Sequence, residues 1–101
     1  MPKGYWIAHV EVTEPEAYAK YRELNGLAFA KYGGRFLVRA GQRTLARGAA
    51  RPRDVIIEFP DYAAALACLE SEEYRRAAEH RDAGALVDLV VVEGYDGPQP
   101  G

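Results

Sequence analysis

The chain is predicted to be a single α+β domain in the order βαββαβ, its four strands forming one antiparallel sheet with the helices on one face. Three observations predict this. Residues 4–12 alternate strictly between apolar and mixed positions, residues 15–32 carry an aromatic stripe at helical spacing, and the remaining apolar runs divide into two short strands, an interrupted helix and a last strand. At 101 residues one domain is expected, with roughly two-thirds of the unfolded chain's surface buried on folding. The domain is assigned to residues 1–96 and a flexible tail to 97–101, where Gly97-Pro98-Gln99-Pro100-Gly101 has nothing to bury.

The first strand sets Tyr5, Ile7, His9 and Glu11 against Trp6, Ala8, Val10 and Val12, one mixed face and one dry face. Thr13-Glu14-Pro15-Glu16 then reads as a capping box, with Thr13 the cap and Pro15 in the first turn. The helix is expected to run to Tyr32, where Gly33-Gly34 supplies a left-handed stop. Wound at about 100° per residue, it places Ala17, Tyr18, Tyr21, Leu24, Asn25, Ala28, Phe29 and Tyr32 on one arc of about 140°. Arg35–Ala40 and Asp54–Phe59 read as the second and third strands, joined by an extended hairpin over residues 41–53 whose arms lengthen both. Pro60-Asp61 caps a second helix and Ser71 a further segment to about Arg81, after which Ala83-Gly84 releases the chain into a fourth strand, Leu86–Glu93. Right-handed crossovers make this a ferredoxin-like sheet in the order four, one, three, two.

Composition narrows the function. A net charge of −2 offers no general attraction to nucleic acid or anionic lipid, and no apolar run is long enough to span a bilayer. The N-terminus lacks the apolar stretch of an export signal, so a cytoplasmic location is expected. Cys68 is the only cysteine, which excludes an intrachain disulfide; with His9 and His80 far apart in sequence, no metal site is expected, and no phosphate-binding glycine loop or other cofactor motif is present. Cys68, between Ala67 and Leu69, reads as core filling rather than as a nucleophile.

The helices cover one face only, and the apolar set Trp6, Val10, Phe36, Val38, Val55, Ile57 and Phe59 suits it. The other face is then expected to show Tyr5, Ile7, His9, Leu37, Arg39, Ile56 and Glu58. Three aliphatics left wet there forgo roughly 1.5–3 kcal/mol each, which argues for a symmetric homodimer packed through that face.

The runs Lys3–Ala8, Thr13–Tyr18, Phe29–Arg39, Val55–Pro60 and Val91–Tyr95 together resemble a family of short bacterial proteins, domain of unknown function 1330, over nearly the whole chain. One departure is Glu72, which follows Ser71 where that family usually has proline. The resemblance implies the dimeric α/β-barrel superfamily, two sheets facing each other across a shared barrel. That superfamily includes cofactor-independent monooxygenases, haem-degrading enzymes and lactone isomerases, so the fold licenses no particular chemistry.

Facing a dimer cleft, His9 can serve as a general base, with Arg39 holding an anionic substrate or oxyanion and Glu58 orienting one of them. The competing structural reading makes Arg39 and Glu58 an ion pair and His9 a hydrogen-bonded interface residue. Asn25, polar inside an aromatic stripe, is either a helix-to-sheet hydrogen bond or, with Tyr21 and Tyr74, part of the wall of a ligand pocket. A cleft for a modest, anionic organic ligand is therefore expected, serving either an enzyme or a non-catalytic binding module. Arginines at 35, 39, 43, 47 and 51 invite an RNA reading, but the third strand offers Asp54, Ile56 and Glu58 where base-stacking rings are needed, so no nucleic-acid partner is expected. The hairpin arginines are expected in solvent or against the partner subunit.

Overall fold

A computed structural model describes residues 2–101. Seven elements follow in order: β1 (Gly4–Val12), α1 (Pro15–Lys31), β2 (Arg35–Arg39), β3 (Arg53–Phe59), α2 (Tyr62–Glu70), α3 (Glu72–Gly84) and β4 (Ala85–Glu93). The sheet order is β2-β3-β1-β4 with every pairing antiparallel, the ferredoxin-like arrangement expected of this pattern.

The strict alternation of β1 becomes two differently clothed faces. Trp6 and Val10 are buried beneath the helices, while Tyr5, Ile7 and His9 stand on the open face. The core is aromatic: the Trp6 ring meets Phe29 edge-on at 5.3 Å and Tyr74 at 4.7 Å, and its indole N–H donates to the Ala65 carbonyl at 2.9 Å. α1 presents the expected stripe, with Tyr18, Asn25, Ala28 and Phe29 buried. Gly33 takes φ +76° and the Gly34 N–H returns to the Phe29 carbonyl at 2.8 Å, closing the helix as its glycines predict.

The start of α1 differs from expectation. Its cap is Glu14, not Thr13, and no side chain bonds the first turn. The Thr13 and Glu14 N–H groups instead donate to the Gly84 carbonyl, at 2.8 and 3.1 Å, so a tertiary contact replaces the local cap. Asp61 and Ser71 do cap α2 and α3, accepting from the Ala64 and Tyr74 N–H groups at 2.7 and 3.1 Å. Glu72 therefore serves as the first residue of α3 without proline.

Two further corrections concern β2 and the segment after it. Residues 41–52 form no ladder; pairing ends where the Ala40 N–H donates to the Asp54 carbonyl, with Ala40 at φ +53°. Within β2 a bulge at Leu37 shifts the register, so Phe36 pairs with Ile57, Val38 with Ile56, and Arg39 with Val55. Cross-strand partners share a face, so this one extra residue moves Val38 onto the open face and Arg39 onto the helix face, the reverse of simple alternation.

Candidate functional site

The open face brings together some of the residues expected there. His9 lies opposite Asp54 on β3 and Asp88 on β4. Its Nδ1 is 2.9 Å from Asp54 Oδ1, and Arg43 Nε donates to the same carboxylate at 2.7 Å. Arg43 first, then His9, holds the Asp54 carboxyl below the usual carboxylate range. Arg51 crosses to Asp88 at 2.9 Å and Glu11 at 3.5 Å. The segment between β2 and β3 thus folds Arg43 and Arg51 onto the acids of its own sheet, while Arg47 stands in solvent as expected.

Glu58 is elsewhere on the same face, accepting from the Tyr5 hydroxyl at 3.1 Å and paired with Arg35 at 3.2 Å. The constellation of His9, Arg39 and Glu58 is not assembled, and Arg39 and Glu58 form no ion pair: the bulge has put Arg39 across the sheet. In place of a triad the open face carries His9–Asp54–Arg43 and an apolar strip. Leu86, Val90 and Val92 of β4 share the phase of Tyr5, Ile7 and His9, and are 50%, 57% and 38% exposed.

The cavity lies on the opposite side, between the sheet and the helices. Its free volume is about 40 Å³ and its mouth opens to solvent. Its floor is apolar, from Trp6, Ala8, Val55, Ile57 and Leu89, and its roof is α1 and α3. Tyr21, Asn25 and Tyr74 line it, as does Arg39. Arg22, Arg53 and Arg81 also face it, and no Asp or Glu is among the lining residues.

The polar roof is a connected set. The Tyr21 and Tyr74 hydroxyls are 2.9 Å apart, and Arg81 Nη1 donates to Tyr74 at 3.0 Å while its other side pairs with Asp82 at 2.9 Å. Burial drives the Tyr21 phenol far above its ordinary pKa, with the Asn25 amide opposing the rise; burial also raises Tyr74, against the stabilising donors Tyr21 and Arg81. Both are neutral phenols at physiological pH, able to donate or accept. Asn25 is buried on α1 and its amide faces Tyr21.

Arg53 lies deeper than Arg39. Its guanidinium is 5.5 Å from the Tyr18 ring, and its buried Nε has no hydrogen-bond partner. Arg39 is exposed at the mouth, 4.4 Å over the Phe36 ring. Among the described residues no carboxylate pairs with Arg22, Arg39 or Arg53.

The sequence signal for Arg53 is its phase: it is in step with Val55 and Ile57, the apolar side of β3. Arg81 follows Tyr74 by seven residues, two helical turns, and so shares its face. Cys68 is fully buried in α2, its thiol pushed up to about 12, which leaves it inert.

The subunit is a ferredoxin-like α+β domain with a basic, tyrosine-roofed cavity between sheet and helices and an open second sheet face that carries exposed aliphatics. The chain belongs to the family Domain of unknown function (DUF1330), which matches residues 3–95. It is similar in fold to RPA0582, a protein of unknown function from Rhodopseudomonas palustris, at 22% identity and a TM-score of 0.76, covering 95% of this chain and 85% of that one. It is also similar to SnoaB, a cofactor-independent oxygenase from Streptomyces nogalater, at 13% identity and a TM-score of 0.62 over 99% and 97% of the two chains. A third likeness is to an antibiotic biosynthesis monooxygenase, at 19% identity and a TM-score of 0.53 over 97% and 100%. No curated protein matches the chain. No described helix is long and apolar enough to cross a membrane.

Proposed function

We propose that the protein is a cytoplasmic homodimer whose subunits each bind a modest anionic organic molecule in the cavity between sheet and helices. The observation that carries this is the charge of the lining: four arginines line the space and no Asp or Glu does. Converging like charges raise each other's free energy, and an anion relieves them. The aromatic walls favour an organic body over a bare ion. This moves the expected ligand from the dimer cleft to the interior of the subunit.

The dimer reading rests on the open face. Leu86, Val90 and Val92 are half wet there, and a second copy of the same face would cover them while enclosing the balanced His9–Asp54–Arg43 group. Light scattering tests this: a dimer is expected, reduced to monomer by Val90→Glu, and a monomeric native protein would contradict it.

Binding is testable through Trp6, the only tryptophan and a cavity-lining residue. Titration with a panel of small aromatic acids and their neutral counterparts should give saturable changes in its fluorescence, tighter for the acids. Equal affinity for neutral and anionic members would refute an anion site.

A second reading, cofactor-independent oxygenation of the bound molecule, is favoured by the linked hydroxyls of Tyr21 and Tyr74 beside Arg81 and by the likeness in fold to an oxygenase. His9, on the far side of the sheet, would not act as base for a molecule in the cavity; Tyr74 is better placed. Under this reading Tyr74→Phe abolishes oxygen consumption with a bound acid while His9→Ala does not, and the reverse result would restore His9.

A further inference from the structure

We propose that the bulge at Leu37 builds a two-arginine clamp, Arg39 with Arg53, for the carboxylate of an aromatic acid whose ring oxygen reaches the Tyr21–Tyr74 pair. This rests on the anion-binding reading and names the head group, its holders and the orientation. The placement follows from register. Arg39 pairs with Val55, and Arg53 lies two residues before Val55 on the same strand. Both therefore rise from the helix face at diagonal positions on neighbouring strands, roughly 7–8 Å apart at the backbone.

Without the extra residue at Leu37, Arg39 would fall on the open face and Arg53 would stand alone. A bulge re-aims a side chain at the cost of a ladder bond, and the side chain re-aimed here meets the cavity that already holds an unpaired guanidinium. The buried, partnerless Nε of Arg53 is the second, independent observation. A buried donor without an acceptor is rare in a folded protein, and this one faces a space with no acid of its own.

The head group should be planar and singly charged. Guanidinium forks match a carboxylate in two parallel hydrogen bonds, and the surrounding walls are rings that suit a flat body. Tyr18 sets the length. Its ring centroid is 5.5 Å from the Arg53 guanidinium and 5.6 Å from the Tyr21 ring, so the clamp and the Tyr21 ring lie within about 11 Å of each other, a span that a para-substituted aromatic acid can bridge. Arg81 donates to Tyr74, which leaves one hydroxyl proton of the pair free for an acceptor on the ligand.

Isothermal titration calorimetry with 4-hydroxybenzoate tests the clamp, against 4-hydroxybenzyl alcohol and inorganic phosphate. The native protein should bind the benzoate most tightly, and Arg53→Gln and Arg39→Gln should each weaken it about 10- to 100-fold while leaving the alcohol unchanged. Deletion of Leu37 should reproduce Arg39→Gln; if that deletion does not fold, by circular dichroism, the point variant decides. Binding of the benzoate that neither arginine variant weakens overturns the clamp and leaves the anion site standing. Tighter phosphate binding overturns the carboxylate assignment. Failure of the native protein to bind 4-hydroxybenzoate while other acids shift Trp6 overturns the clamp's ligand; failure of every acid overturns the cavity reading with it.

Discussion

Removing the Tyr74 hydroxyl should cost more than removing that of Tyr21, and the two losses should not add. Tyr74 makes two hydrogen bonds through one oxygen, at 2.9 Å to Tyr21 and 3.0 Å from Arg81, whereas Tyr21 shares the first and touches the Asn25 amide. A neutral buried bond contributes about 0.5–1.5 kcal/mol and one to a charged donor about 1.5–3 kcal/mol. Arg81 keeps Asp82, and 20% of its side chain is exposed, so the second figure belongs at its low end. Tyr74→Phe is then expected to cost about 2–3 kcal/mol and Tyr21→Phe about 1 kcal/mol. The double variant should fall short of their sum by about 0.5–1.5 kcal/mol, because the shared bond is lost only once. Urea denaturation of the four proteins at constant concentration measures this cycle. Additivity to within about 0.3 kcal/mol would mean that the two hydroxyls do not depend on each other, and the connected roof would be refuted.

Other consequences are local. Gly84→Ala would set a methyl 2.5 Å from the Tyr18 nitrogen and 3.0 Å from Ala17, where the end of α3 meets the start of α1; a loss of about 1–3 kcal/mol is expected in a thermal melt, and no loss would mean that the junction is loose. Asp54 has a folded pKa below its unfolded value of about 3.9, so its stabilising effect is full above that pH and is lost as the pH falls through the lower, folded value. Asp54→Asn should therefore lower the urea midpoint at pH 7 and flatten its decline as the pH falls below about 4; an unchanged acid limb would contradict the pairing with Arg43 and His9. Cys68 should resist iodoacetamide in the native protein and react at once in denaturant, followed by mass spectrometry; rapid native labelling would place it outside the core.

Much of this architecture is legible in the chain because the informative signals are local. The alternation through Trp6, Ala8 and Val10, the Gly33-Gly34 stop and the Asp61 and Ser71 caps each fix an element by short-range chemistry, and handed crossovers then leave one strand order. The aromatic stripe of α1, with Asn25 inside it, likewise identifies the roof of the cavity. Thr13 misleads because its capping box competes with the Gly84 carbonyl, a partner 71 residues away. Arg39 misleads for a different reason. A bulge leaves no mark in a strand as short as Arg35–Arg39, and a single inserted residue inverts everything after it. Arg53 precedes a run of aliphatics and looks like a loop residue until pairing with Val10 shows that it begins the inner face of β3.

The central claim is that the inner side of the sheet holds a site for an anion, with Arg53 at its heart. The side-chain Nε–H resonances of the arginines, followed by ¹⁵N NMR as 4-hydroxybenzoate is added, report on it atom by atom, with Arg53→Lys supplying the assignment. The Arg53 signal should shift and saturate while those of Arg43 and Arg51, already bonded to Asp54 and Asp88, stay still. Movement of Arg43 or Arg51 with Arg53 unaffected would put the anion on the outer face and contradict the account.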